Sequence, residues 1–303
     1  MNWLLFVLRA FAVTIPLFAH ADTIKLGDGK TVHGELAGTV GDYISIIVED
    51  SSNHAELRYR VELVERIEFS DSIDRQDAIN GFSKRHPIKT TALLEKLALK
   101  RLPYLEILGS EDESVFTLLL ESYILSAREE DSLERAKLWL QKLPSDEAKL
   151  RIQELQIIAA WKLNRVSESA YYSKQWIEAG HSSQKTALPW VSLANVALTE
   201  GDHETALWLA LNPIVFSPPS RPSYLEEAYA IAIISALKLG DRTQAYQLKT
   251  EMQRRRFIIP TNSRWTVLIA EAESQSQDGS ETDQRAIQKV WKPDPVYKLA
   301  GEP

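Results

Sequence analysis

A chain of 303 residues, 44% hydrophobic and 25% charged, has the makeup of an ordinary folded protein and room for about two domains. Its formal charge of −7 argues against a nucleic-acid partner, because phosphate binding is driven by Lys and Arg replacing counterions. It has no cysteine, which excludes disulfide staples, iron–sulfur clusters, thiolate zinc sites and a lipid-modified N-terminal Cys.

Residues 1–21 read as a secretory signal peptide. Arg9 and the terminal amine precede the apolar run "AFAVTIPLFA", and "AHA" sets small residues at Ala19 and Ala21. A membrane anchor is the alternative, but a span needs about 20 apolar residues and this run is flanked by Arg9 and interrupted by Pro16. Cleavage after Ala21 removes one Arg and no acid, taking the formal charge from −7 to −8. An acidic, cysteine-free exported chain suits a bacterial periplasm, or secretion, and no later segment is long and apolar enough to cross a bilayer.

Residues 22–70 alternate with the period of strands. Ile24 and Leu26 lead into Asp28-Gly29, a hairpin turn in which Gly takes positive φ at no steric cost. Val32, Gly34 and Leu36 follow, then "YISIIV" (43–48), "AELRY" (55–59), a "VEL" corner and "ERIEF" (65–69). Five short strands predict a small closed β barrel. Gly29-Lys30-Thr31 is a turn rather than a phosphate loop, since Ile24 stands where that motif needs Gly and a strand follows instead of a helix.

From Asp71 to residue 273 the period becomes about 3.6. "SEDE" (110–113) and "SYLE" (223–226) read as capping boxes, and Ser145 as the N-cap of "PSDEA". Ala136, Ala170, Ala206 and Ala245 recur 34, 36 and 39 residues apart, with Ala127, Trp161, Ala197 and Ala236 nine residues before them. Gly201 and Gly240 should close their helices in the left-handed conformation, with Asp202 and Asp241 capping the next. Prolines in "NPIVFSPPSRPS" (212–223) mark a loop, residues 262–273 a capping helix, and 274–303 a polar linker and tail.

Two resemblances follow from these residues. "IKLGDGKTVHGEL" and "VELVERIEF" resemble the Sm-like/SH3-like small barrels of bacterial exported proteins. Trp190, Leu193-Ala194, Ala197, Ala206 and Pro218 resemble a tetratricopeptide repeat, as do residues 229–252, and the likeness spans 112–257, more loosely over 112–180. The resemblance implies helix hairpins, each too small to bury its own apolar face and so stacked on its neighbour. Residues 73–85 and 92–116 would supply a degenerate first hairpin.

Chemistry is sparse. The six histidines are scattered, and none has a metal-ligand partner at i+4. His203 is expected at the surface. The acidic groups 111–113, 129–131 and 226–227 sit at helix ends, where capping accounts for them. Arg254-Arg255-Arg256 reads as a helix C-terminal run, with an acidic partner as the alternative. Some tetratricopeptide domains grip a terminal carboxylate with Lys and Asn; Asn195 stands at one such position but Val191 replaces the Lys, which disfavours that clamp. By the same comparison, the groove would include Glu121, Leu125, Arg128, Leu155, Lys162, Val191, Asn195, Ala230 and Lys238.

The expectation is an α+β multidomain protein: signal peptide 1–21, five-stranded barrel 22–70, all-α helix-hairpin solenoid 71–273, and tail 274–303. It would act as a non-catalytic scaffold of the bacterial envelope, without cofactor, metal or nucleic acid, binding a protein or extended peptide on the concave helical face. The alternatives are an envelope enzyme or accessory subunit, and nucleic-acid binding through the barrel.

Overall fold

A computed structural model describes residues 21–50, 53–83, 87–179, 187–216 and 224–278. The expected signal peptide before Ala21, the tail from 279, His20, His86, His181 and the Ser223 cap lie outside the described residues. The protein is α+β, with an antiparallel sheet preceding eleven α-helices among the described residues. It divides into two compact units, Met1–Ala159 and Ala160–Pro303.

In the first unit, strands β1 (Asp22–Leu26), β2 (Thr31–Val40), β3 (Tyr43–Asp50), β4 (Asn53–Arg60) and β5 (Val64–Glu68) pair in the order β4-β3-β2-β1-β5. The Gly29 turn forms as expected: Gly29 has φ 84°, and the Leu26 amide donates to the Lys30 carbonyl at 2.9 Å. The "VEL" corner is a 3-10 turn, Val61–Leu63. Strand β2 serves two partners, pairing through residues 31–34 with β1 and through 35–40 with β3. Gly34 sits where it changes partner, and a Cβ there would lie 2.2 Å from the Ile47 carbonyl oxygen.

The barrel does not close. Strands β4 and β5 are the two edges and do not pair. Five short strands still need cover, and a helical segment supplies it. Tyr104, in the 3-10 segment Leu102–Ile107, accepts a hydrogen bond from the Gly38 amide at 2.7 Å, and Thr39 donates to the Pro103 carbonyl at 3.2 Å. Asp22, 3% exposed, accepts from Lys100 Nζ at 2.7 Å and from the Ser70 amide and hydroxyl at 2.8 and 2.9 Å.

Helices α1 (Ser72–Ser83) and α2 (Pro87–Arg101) pair as a first hairpin; of the expected second arm 92–116, residues 102–107 are instead the 3-10 segment and 110–116 open the next helix. Arg101, at the end of α2, is wholly buried. Its guanidinium lies 4.3 Å over the Phe69 ring and bonds Asp71 at 2.6 Å and Asp112 at 2.8 Å. Sheet and first helices thus share one buried ionic knot, in which planar guanidinium geometry meets two carboxylates at once.

The helices that follow in the chain are α3 (Ser110–Leu125), α4 (Glu129–Trp139), α5 (Asp146–Lys162), α6 (Val166–Glu178), α7 (Leu188–Glu200), α8 (His203–Phe216), α9 (Leu225–Lys238), α10 (Arg242–Arg254) and α11 (Arg264–Asp278). Four turns from one helix to the next share one plan. Ala127, Asn164, Gly201 and Gly240 have φ of 56°, 55°, 81° and 80°. In each, the next residue's amide bonds the carbonyl five back: Arg128 to Tyr123, Arg165 to Ala160, Asp202 to Ala197 and Asp241 to Ala236. Asp202 and Asp241 cap the following helices as expected, accepting from the Thr205 and Gln244 amides at 3.1 and 2.8 Å.

These turns correct the alanine alignment. Five residues beyond the left-handed residue stand Ser132, Ser169, Ala206 and Ala245, all buried. Ala136 and Ala170 are therefore not equivalent to Ala206 and Ala245. Ala136 lies one helical turn later and Ala170 one residue later. Likewise Ala160, not Trp161, matches Ala197, and Ala127 is in the turn rather than on a helix.

Three local readings also change. The 110–113 box does not form: Gly109 is the N-cap of α3, and the Glu113 carboxylate instead accepts from the Ser145 amide at 3.1 Å and from the Ser145 hydroxyl. Ser145 does cap α5, its Oγ accepting from the Ala148 amide at 3.2 Å. Pro213 is inside α8, not in a loop, and α11 runs on through residues 274–278 of the expected linker.

Helix α9 centres the second unit. Every residue from Ala228 to Leu237 is buried, with α7, α8, α10 and α11 packed against it. A helix apolar on every side has no solvent face to present, so its neighbours must cover it completely.

Candidate functional site

The structure scatters the expected groove residues. Leu155, Val191 and Ala230 are buried in the core, so their side chains cannot meet a partner. Glu121 is paired with Arg151 at 2.6 Å. Arg128 lies 4.2 Å over the Tyr123 ring and pairs with Glu95 and Asp131 at 3.0 and 2.6 Å. Leu125 is exposed, and Lys238 donates to Gln275. Lys162 and Asn195 are the two that meet, in the wall of a cavity of about 290 Å³ within the second unit.

Several elements build that cavity. The end of α5 supplies Trp161 and Lys162, and the left-handed turn residue Asn164 and Val166 of α6 follow. Helix α7 gives Asn195, the first turn of α9 gives Glu227, and the start of α11 gives Arg264 and Trp265. The Arg264 guanidinium lies 4.2 Å over the Trp265 ring and 5.6 Å from that of Trp161. Tyr224 meets Trp161 edge-on with centroids 6.5 Å apart, holding the indole in place.

Asn195 is 2% exposed, and its Oδ1 accepts from Arg264 Nη2 at 3.3 Å. That bond orients the amide and leaves its Nδ2 buried without a hydrogen-bond partner. A buried donor left unpaired costs about 1–3 kcal/mol, so the amide is set for an acceptor. Burial raises the Glu227 carboxyl above its ordinary range, and neighbouring Glu226 adds to this; its own amide and Arg264 pull the other way. Among the described residues, neither Arg264 nor Glu227 forms an ion pair.

No protein-family model and no curated protein matches this chain.

A second cavity of about 280 Å³ lies in the first unit, walled by Leu99, Leu102, Leu119 and Trp139 with Glu95 and Arg135. Arg135 again rests on aromatic rings, 5.4 Å from Tyr123 and 6.0 Å from Trp139. Glu95 is already engaged there by the Tyr123 hydroxyl at 2.8 Å and by Arg128. Burial and that hydrogen bond push the Tyr123 hydroxyl up to about 12.

Among the described residues no three His, Asp or Glu side chains gather as a metal site. His203 is half-buried rather than on the surface; burial and nearby Lys238 lower its pKa against the pull of Asp202. The arginine run is structural in part: Arg255 donates to the Ile214 carbonyl at 3.0 Å and pairs with Glu251 at 2.8 Å, while Arg256 takes a left-handed turn at φ 62°. No helix among the described residues is long and apolar enough to cross a membrane.

Trp161, Asn164, Glu227, Arg264 and Trp265 escaped the sequence reading as site residues. Arg264 and Asn195 are 69 positions apart, and no local spacing joins them.

Proposed function

We propose that this chain is a non-catalytic protein-binding component of a bacterial cell envelope, exported by an N-terminal signal and holding a segment of a partner protein on its helical hairpins. The observation that carries the reading is the cavity at Lys162 and Asn195, where a buried amide donor without a partner stands beside the Arg264 guanidinium. A binding site needs a few such convergent polar groups within apolar walls.

The finer assignment of the helices as tetratricopeptide-like is supported by four turns of one plan, by the Asp202 and Asp241 caps, and by small residues five positions beyond each turn. The Sm-like/SH3-like assignment of the sheet is supported by its strand order and the 3-10 corner before the last strand.

The test is photocrosslinking in the envelope of the producing organism. A photoreactive residue at Asn164, on the cavity wall, should capture one protein species that the same residue at exposed Glu204 does not. Equal capture from both positions, or none from residue 164, would end this reading.

A further inference from the structure

The end of α8 and the end of α10 meet at the surface of the second unit, where Arg255 donates to the Ile214 carbonyl at 3.0 Å. Past that bond each segment leaves apolar side chains in water. Val215 and Phe216 are 64% and 75% exposed, and Ile258 is 77% exposed. Ile258 faces out because its neighbours face in: Phe257 lies 5.9 Å from the Tyr229 ring, and Ile259 packs on the same core.

Cations flank these side chains. Arg254 and Arg256 are exposed, and among the described residues neither forms an ion pair. Arg256 also holds the left-handed position of its turn, at φ 62°, where Gly201 and Gly240 stand in two earlier turns; turn geometry alone does not select an arginine. Residues 205–216 and 252–264 contain no acid, and Glu251, just before the second segment, is paired with Arg255. Charge is felt over about 8 Å at physiological salt, so this local set counts rather than the chain's total of −7. None of these residues lines the cavity of Asn195.

We propose that this surface docks on an anionic lipid bilayer, with Val215, Phe216 and Ile258 entering the headgroup boundary and Arg254 and Arg256 meeting the lipid phosphates. Peripheral attachment needs apolar insertion and charge attraction together, and both stand here side by side. Nucleic acid would use the arginines, but Val215 and Ile258 offer no face on which a base stacks. A soluble acidic peptide satisfies the arginines and leaves the apolar side chains wet, whereas a bilayer takes both.

The sequence has no cysteine, so Ile258→Cys gives the full chain a single site for an environment-sensitive fluorophore. Glu204→Cys, at the far end of α8, is the control position. Residues 10–19 are an apolar run with lipid affinity of its own, so the readout is positional rather than bulk. The probes are phosphatidylcholine vesicles, vesicles enriched in phosphatidylglycerol with and without spin-labelled acyl chains, and a polyglutamate peptide.

Phosphatidylglycerol vesicles should blue-shift the label at 258, and spin-labelled chains should quench it, with the label at 204 unchanged. Arg254→Gln together with Arg256→Gln should weaken the response about twentyfold, at about fivefold per arginine. Salt at about 0.5 M should weaken it too. Phe216→Ser should weaken it about tenfold or more and leave the salt dependence in place. These positions are exposed, so circular dichroism should find every variant folded. Equal response at 258 and 204, equal response to neutral vesicles, or no response at 258 would overturn the inference. A response to polyglutamate alone would give the surface to an acidic protein and overturn it as well.

Discussion

Ala127 and Gly201 hold the same left-handed backbone position, at φ 56° and 81°, and each is followed by an amide that bonds a carbonyl five residues back. Only glycine holds it without a Cβ penalty. Ala127→Gly should therefore stabilise the chain by about 0.5–1 kcal/mol, and Gly201→Ala should destabilise it by about 1 kcal/mol. Urea midpoints of the two variants check both signs; shifts in the same direction would refute the equivalence.

Arg101 is buried against Asp71, Asp112 and the Phe69 ring. Arg101→Met strips Asp71 of its cation and leaves Asp112 only Arg75, at 3.1 Å, and should cost about 3–5 kcal/mol. Chemical unfolding measures it, and a loss below about 1 kcal/mol would show that the knot contributes little.

Asp22 should give the first unit an acid-sensitive component. Burial alone would raise its carboxyl, but the Lys100 contact and the Ser70 amide and hydroxyl outweigh it and hold the pKa below the ordinary 3.8. A depressed folded value means the stabilisation is complete above the unfolded pKa and is lost as pH falls through the folded one. Stability followed from about pH 5 to pH 2 should fall less steeply in Asp22→Asn than in the parent.

Gly34→Ala would set a methyl 2.2 Å from the Ile47 carbonyl oxygen, where a backbone atom cannot swing aside. The strand must shift, at a cost of about 1–3 kcal/mol. Thermal unfolding of the variant is the check, with Gly27→Ala as a control, where the nearest atom to the added Cβ is the Leu63 carbonyl oxygen at an ordinary 3.9 Å.

Much of this fold was legible from local chemistry. The five strands and the 61–63 corner follow from alternation, and the Gly201 and Gly240 turns from glycine followed by aspartate. Register failed where the same turn is made by Ala127 and Asn164, which carry no glycine to mark it. Buried Ser132 and Ser169 read as polar, so nearby alanines drew the alignment instead. Whether the sheet closes depends on long-range pairing and on Tyr104, 66 residues from Gly38, which no strand pattern encodes. Of the site, Lys162 and Asn195 were visible through repeat spacing, whereas Arg264 and Trp265 enter only because α11 folds back on α9.

Helix α9 has a further meaning for how the second unit comes apart. In an ordinary stacked array each hairpin can peel from the end with little disturbance to the rest. Here α7, α8, α10 and α11 all lean on one shared pillar, so detaching any of them wets it. The last two hairpins should melt as one block, with the backbone amides of residues 228–237 the slowest in the chain to trade hydrogen for deuterium.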